Sequence, residues 1–486
     1  MATRIPANRA DFTVAELLAI TSGTLAARGA VERCTSISTN TRELPPGAAF
    51  VALRGPTHDG HAHLGAAAEA GATVALVERE APAPAGMSVV RVGSTLRALG
   101  DLARAHVQRW RAAGDRRLIG ITGSAGKTTT RVAAAALVES LFPGQLVATR
   151  GNLNNRIGVP LMLFSLEPRH RNCVVELGTS EPGEIAELAR ITQPDVGILT
   201  LVAAAHLDGL GSIDGVEHEK TALFRALSPE GIAVGNGDDP RVLRAFEATP
   251  ATRRITYGRG PENAVKVLDR APLGMTRSRV VLAHADGRTS AFETPLTGEA
   301  GALACAAAVA AVEAAFDARL DADALTAAFD QVQLGEAAQR LVPLELASGL
   351  AVLDDTYNAN PASMAASIRA AAEMATAMKR PLVLVLGEMR ELGSESARGH
   401  EAIGRAAAES GARLVVAVGG GEAHRIAGGA RAAVPEVLFA PSVDEALPAV
   451  LSAVDTSDFV LVKASRSVGT DRIVAALETH YGPRRS

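Results

Sequence analysis

Aromatic residues are scarce: one Trp, three Tyr and 11 Phe, or 3% of 486 residues. That scarcity argues against a single-strand nucleic-acid platform, which stacks bases on aromatic rings. Positive charge is not in excess either. The 49 Lys and Arg face 53 Asp and Glu, a formal net charge of -4, so no general attraction to nucleic acid follows. Cysteine is limited to Cys34, Cys173 and Cys305. They are far apart and odd in number, with no disulfide framework and no CxxC metal spacing, as in a reducing compartment. The stretch MATRIPANRADFTVAELL lacks the apolar core of a signal peptide. AGALACAAAVAAV (300–312) reads as too short and too weakly apolar to span a bilayer. The expectation is a soluble, cytoplasmic protein with no membrane span and no nucleic-acid partner.

Apolar residues make up 47%, ample for several cores, and the length suggests about two to four domains. Three regions separate: 1–113, 114–333 and 334–486. The first carries short strand-like runs, AAFVAL, TVALVE and SVVRV, between Ala-rich helical stretches. RAAGDRR (111–117) reads as a hinge. The third holds LAVLD, LVLVLG, LVVAVG, VLFA and FVLVKA, each separated by a helix-length segment. Strands alternating with helices imply parallel sheets in the second and third regions. The expected class is α/β.

The second region opens on LIGITGSAGKTTT (118–130), a buried strand, a tight glycine turn and a helix. This is the context of a phosphate-binding loop. Backbone N–H groups and the helix N-terminus favour anionic phosphates. Lys127 would reach the β- and γ-phosphates, and the Thr128 hydroxyl would ligate Mg²⁺. Gly123 and Gly126 let the backbone approach closely. The usual G-x-x-x-x-G-K-[ST] spacing would put its first glycine at 121, where this chain has Ile121. Two polar signals follow further strands: Glu176 in NCVVELGTSEPGE and His206 in PDVGILTLVAAAHLDGLGS. Taken alone, Glu176 reads as a strand-end acid and His206 as a loop histidine. Ligands of open parallel sheets bind at the carboxyl ends of strands, so Lys127, Thr128, Glu176 and His206 are expected to converge on one metal–phosphate site. Lys220, in VEHEKTALF, reads by itself as a solvated surface charge.

The string T-G-S-A-G-K-T-T resembles the loop of the Mur ligases, whose pattern starts T-G, which accounts for Ile121. ATRGNLNNRIGVPLMLF (148–164), ELGTSEPGEI, AAHLDGLGSIDGV, DDTYNANPASM (354–364) and GEMRELG (387–393) resemble one branch of that family. It is the branch that adds D-alanyl-D-alanine to UDP-N-acetylmuramoyl-tripeptide in peptidoglycan precursor synthesis. The resemblance implies an N-terminal domain for the UDP end of the substrate, a central ATPase domain and a C-terminal Rossmann-like domain. It implies ATP and Mg²⁺, an acyl-phosphate intermediate, and a monomer.

The resemblance also assigns residues. Thr122, Gly123, Ser124, Ala125, Gly126, Lys127, Thr128 and Thr129 would hold nucleotide phosphates. Asn236 would lie on the adenine side, Arg340 near phosphate at the junction with the third region, and Asp355 on the ribose. Thr128, Glu176 and His206 would serve metal, and Lys220 would be carbamylated, turning a cation into an anion that can support metal binding. Asn152, Asn154 and Asn155 would face the muramoyl peptide. Tyr357, Asn358 and Asn360 would lie beside the dipeptide site. Thr41 and Arg42, with His58, would meet uridine and diphosphate. The chain departs from the family pattern in TGEAGALACAAA (297–308), where Ala300, Gly301 and Ala304 replace a histidine and asparagines, and at Ala464. Rival readings are a sister ligase adding meso-diaminopimelate or lysine, a folylpolyglutamate or cyanophycin synthetase, and a P-loop NTPase switch without ligase chemistry.

Overall fold

The computed structural model describes residues 4–332 and 340–484. The boundary expected between 333 and 334 lies outside the described residues. The chain separates into two compact units. The first comprises residues 1–120, 142–179 and 183–196, and the second 121–141, 180–182 and 197–486.

In the first unit the apolar runs become strands. β1 (Thr24–Ala27), β2 (Ser36–Ser38), β3 (Ala48–Val51), β4 (Val74–Val77) and β5 (Ser88–Arg91) form a five-stranded sheet in the order β1-β5-β4-β3-β2. Only β1 runs antiparallel to its neighbour. Helix α1 (Thr95–Ala112) starts at Ser94, whose side chain accepts from the Arg97 N–H, the usual way to satisfy a free helix-end donor. Its buried positions, Ala98, Leu99, Leu102, Ala103, Val107 and Trp110, recur every three to four residues and make one apolar face. The chain leaves α1 at the expected hinge, with Gly114 at φ +139°, and enters β6 (Arg117–Thr122). There follow β7 (Leu146–Ala148), β8 (Asn172–Glu176), α2 (Glu184–Thr192) and β9 (Val196–Leu199). β7 and β8 pair in parallel.

The second unit takes up the chain where β6 ends, at the glycine loop and the helix after it, Lys127–Leu141. Helix α3 (Ile213–Arg225) precedes β10 (Ile232–Asn236), β11 (Arg253–Gly258), β12 (Val265–Leu273), β13 (Arg277–Ala283) and β14 (Thr289–Thr294). Within this unit these strands lie in the order β14-β13-β12-β11-β10. β10, β11 and β12 are parallel, but β12, β13 and β14 are antiparallel hairpins. Alternation of strands and helices does not predict these hairpins. Their signals are local: Gly274 and Gly287, at φ +69° and +84°, supply the left-handed residues of tight turns. Helix α4 (Gly298–Phe316) corrects a second expectation. It is 19 residues long, and by length and composition alone it could cross a membrane. In the fold, 61% of its apolar window is buried, packed on the loop helix and on β10, β11 and β12. A helix apolar on all sides suits such a core position.

The last sheet has the order β15-β16-β20-β17-β18-β19. Its strands are β15 (Val342–Glu345), β16 (Ala351–Asp355), β17 (Leu382–Gly387), β18 (Leu414–Val418), β19 (Glu436–Ala440) and β20 (Phe459–Lys463), and only β15 is antiparallel. Period-two alternation sends Leu353, Leu384, Leu386 and Leu461 to one core, with Met364, Ile368 and Met374 of α5 (Pro361–Ala377). Val352, Val383, Val385, Val416 and Val462 enter the other. A parallel sheet covered on both faces reads as continuous apolar runs, which is why these strands are visible in the sequence.

Candidate active site

The glycine loop is held from below. Ser124 N donates to Leu201 O at 2.8 Å, the Ser124 hydroxyl donates to Ala203 O at 2.8 Å, and the Thr200 hydroxyl donates to Ala125 O at 2.6 Å. Gly123 has φ +145°, and a Cβ there would stand 1.9 Å from the Thr200 hydroxyl. Glycine is thus required at 123 by backbone conformation and by contact, whereas Ile121 is a fully buried strand residue. Lys127 opens the helix and returns its ammonium to Gly123 O at 2.7 Å. Thr128 is buried.

Above the loop opens a cavity of 470 Å³. Ser124, Ala125, Gly126, Lys127 and Thr129 line one side, and Asn236 at the end of β10 lies on it too. Ala300, Leu303 and Ala304 of α4 contribute an apolar wall, where the sequence departs from its family pattern. The opposite side brings Arg340, Asp355, Asn358 and Asn360 to the same space. Asn360 caps α5: its Oδ1 accepts from Ser363 N at 2.8 Å, Ser363 Oγ accepts from Asn360 N at 3.1 Å, and Pro361 takes the first helical position. Its Nδ2 donates to Ser124 O at 3.2 Å, so one side chain ends a helix and touches the loop. Arg340 stacks its guanidinium 4.3 Å above the Tyr357 ring. Asp355 is buried, and its Oδ2 accepts from the Ser367 hydroxyl at 2.6 Å and from Lys463 Nζ at 2.7 Å. Lys463 also reaches Asn358 O at 2.9 Å.

Lys463, Ser367 and Thr200 are missing from the sequence reading. A lysine ending an otherwise apolar strand, FVLVK, is the signal for the first. A hydroxyl that acts through a loop carbonyl leaves no sequence signal.

His206 begins the short helix Leu207–Leu210 with φ +54°. Its Nδ1 lies 2.6 Å from Glu391 Oε2. Burial, then the charges of Lys127 and Lys220, hold its imidazole below the ordinary 6.5, against the pull of Glu391. Lys220, on α3, is fully buried; the surface-charge reading fails for it.

In the first unit, Glu176 is 1% exposed at the end of β8 and accepts from Asn154 Nδ2 at 2.9 Å. Asn155 Oδ1 accepts from Gly158 N at 2.8 Å and Ile157 N at 3.1 Å, in the turn that precedes the helix Gly158–Leu163. Asn152 is exposed. Thr41 and Arg42 form a single turn, Thr41–Glu43, capped by Asn40, with Arg42 exposed. Among the described residues no three His, Cys, Asp or Glu side chains gather as a metal cage.

Three family models match the chain: the Mur ligase middle domain over 121–312, the Mur ligase glutamate ligase domain over 339–466, and the Mur ligase family catalytic domain over 33–107. The UDP-N-acetylmuramoyl-tripeptide–D-alanyl-D-alanine ligase of Escherichia coli K12 is 34% identical over 96% of this chain and 98% of its own length. The chain belongs to the Mur ligase family. The ligase of the same name from Mycobacterium leprae is 32% identical, with 96% of this chain and 98% of the relative covered. Among solved structures, MurF from Acinetobacter baumannii superposes with a TM-score of 0.84 at 30% identity, covering 96% of this chain and 99% of that one. MurF ligase from Thermotoga maritima, in complex with ADP, gives 0.79 at 25% identity, covering 92% and 97%. The α/β fold with mainly parallel sheets is that of a Mur ligase.

Proposed function

We propose that this Mur ligase adds D-alanyl-D-alanine to UDP-N-acetylmuramoyl-tripeptide at the expense of ATP, in peptidoglycan precursor synthesis. The observation that carries the reading is the single cavity lined by both the phosphate loop and the YNANP segment. The names of the relatives supply the substrates.

The chemistry suits the residues. A carboxylate is a poor acyl donor because its leaving group would be oxide. Transfer of the γ-phosphoryl group to one carboxylate oxygen gives an acyl phosphate and ADP. The dipeptide amine then attacks the carbonyl carbon, the amide C–N bond forms, the C–O bond to phosphate breaks, and phosphate departs as the amine loses a proton. Little covalent work falls to the protein; it positions groups and neutralises charge. Loop N–H groups and Lys127 hold the phosphates. Asn236 meets the base, Asp355 the ribose and Arg340 a phosphate. Tyr357, Asn358 and Asn360 flank the dipeptide. Asn152, Asn154 and Asn155 receive the muramoyl peptide, and Thr41 and Arg42 the UDP end.

Mg²⁺ neutralises phosphate charge when bound. It prefers oxygen ligands and keeps several waters, which agrees with isolated oxygen donors rather than a closed cage. The buried Thr128 hydroxyl and Glu176 carboxylate are such donors, and His206 adds a nitrogen. A carbamate on Lys220 forms when its neutral amine attacks CO₂, making one N–C bond and releasing one proton. Complete burial of Lys220 fits a group that works inside a site. The working divisions are 1–113 for the UDP end, 114–333 for ATP and 334–486 for the Rossmann-like part, in a cytoplasmic monomer.

Phosphate release tests the reading. It is expected only when UDP-N-acetylmuramoyl-tripeptide and D-alanyl-D-alanine are both present with ATP; equal release with ATP alone refutes the ligase. Lys220→Ala is expected to be nearly inactive and partly rescued by a small carboxylate, and full activity in that variant rejects the carbamate.

A further inference from the structure

The loop after β17 carries Glu391 at φ +62°, a left-handed conformation that costs a non-glycine residue. Two residues on, the same loop uses Gly393 at φ +49°, where conformation alone is needed. Glutamate at 391 therefore points to a use for its side chain. That side chain meets His206, itself left-handed at φ +54°. Two hydrogen bonds join the pair of segments: Leu207 N donates to Glu391 O at 2.8 Å, and His206 Nδ1 lies 2.6 Å from Glu391 Oε2. The loop is pinned from behind, since Met389 N donates to His400 Nε2 at 2.9 Å and Arg390 N to Ser465 Oγ at 2.8 Å. Glu391 is thus presented by a fixed backbone.

An ionised carboxylate only accepts hydrogen bonds, so the facing Nδ1 must carry the proton, and in the neutral imidazole Nε2 then keeps the lone pair. We propose that Glu391 is a positioning residue that locks His206 in its Nδ1–H tautomer, so that Nε2 offers a lone pair to the phosphoryl-transfer site. The proposal rests on the ligase reading for what Nε2 serves, a bound cation or a donor group of the substrates. The tautomer itself follows from the geometry alone. Outer partners of this kind commonly change affinity or activity 10- to 100-fold when removed. Because Glu391 comes from the last sheet's loop, the histidine is set only while that loop is docked.

Glu391→Gly separates the two roles of the residue. It keeps the backbone conformation, at lower strain, and deletes the carboxylate. With the full chain and ¹⁵N-labelled histidine, NMR is expected to show His206 protonated at Nδ1 in the wild type and shifted toward Nε2–H in Glu391→Gly. In the ligase assay, kcat is expected to fall about 10- to 100-fold with KM for ATP little changed, and Glu391→Asp to recover part of the loss. An Nε2–H tautomer in the wild type overturns the proposal. So does wild-type kcat in Glu391→Gly, which would mean that the loop contributes backbone docking only. If the wild type has no ligase activity, the functional reading fails, while the tautomer measurement still decides the role of Glu391.

Discussion

Lys463→Met isolates a buried charge pair of the site. The side chains of Lys463 and Asp355 are 3% and 7% exposed and their charged atoms lie 2.7 Å apart. Removing one partner of such a pair typically costs about 3–5 kcal/mol, because the remaining charge stays buried without its counter-ion. Asp355 keeps the Ser367 hydroxyl at 2.6 Å, which offsets roughly 1 kcal/mol. The expected loss is therefore about 2–4 kcal/mol. Asp355→Asn combined with Lys463→Met removes both charges and should lose less than the sum of the singles, with a coupling of at least about 1 kcal/mol. Urea unfolding of the full chain, followed by circular dichroism, supplies the four corners of the cycle. Additive losses, or a Lys463→Met loss below about 1 kcal/mol, would refute the idea that this pair is an electrostatic unit.

Gly123→Ala should abolish nucleotide binding in calorimetry, because the new Cβ would stand 1.9 Å from Thr200 Oγ1 on a backbone at φ +145°. Gly65→Ala, whose Cβ meets nothing within 4 Å, is the matched control and should bind normally. Asn360→Ala should lose about 1 kcal/mol of stability with the α5 cap and weaken turnover as well, since Nδ2 also reaches the loop; a stability loss with unchanged turnover would separate the two roles. His206 makes a pH prediction. Its folded pKa is lowered, so the unfolded chain binds the proton more tightly, and its contribution is complete above the ordinary 6.5. That contribution is lost as pH falls through the lowered folded value. Thermal unfolding should therefore show a smaller acid-side drop in His206→Gln than in the wild type, and parallel curves would contradict the assignment.

Much of the site could be read before folding. The loop from Thr122 to Thr129 is legible because its chemistry is local: strand, glycines at forced angles and a lysine opening a helix within one short segment. The last sheet is legible for a different reason. Its strands are buried on both faces, so each stands out as an unbroken apolar run. The β12–β14 hairpins were obscured because strand and helix alternation reports connection length, not strand direction; only Gly274 and Gly287 mark the turns. The asparagines divide in the same way. Asn360 and Asn155 are expected as ligand groups, yet Asn360 spends its oxygen on capping a helix and Asn155 on a local turn, and composition cannot tell such a role from a ligand.

Residue types and their local order marked 122–129 as a candidate phosphate loop and determined which family the chain joins, since both depend on short-range backbone geometry and on motifs in sequence. Folding alone decided which distant groups share a dielectric and a distance. It took Lys220 out of water, set Lys463 against Asp355 across 108 positions of chain, and brought Glu391 to His206 across 185. Charge interactions depend on separation and burial, neither of which is carried by position along a chain.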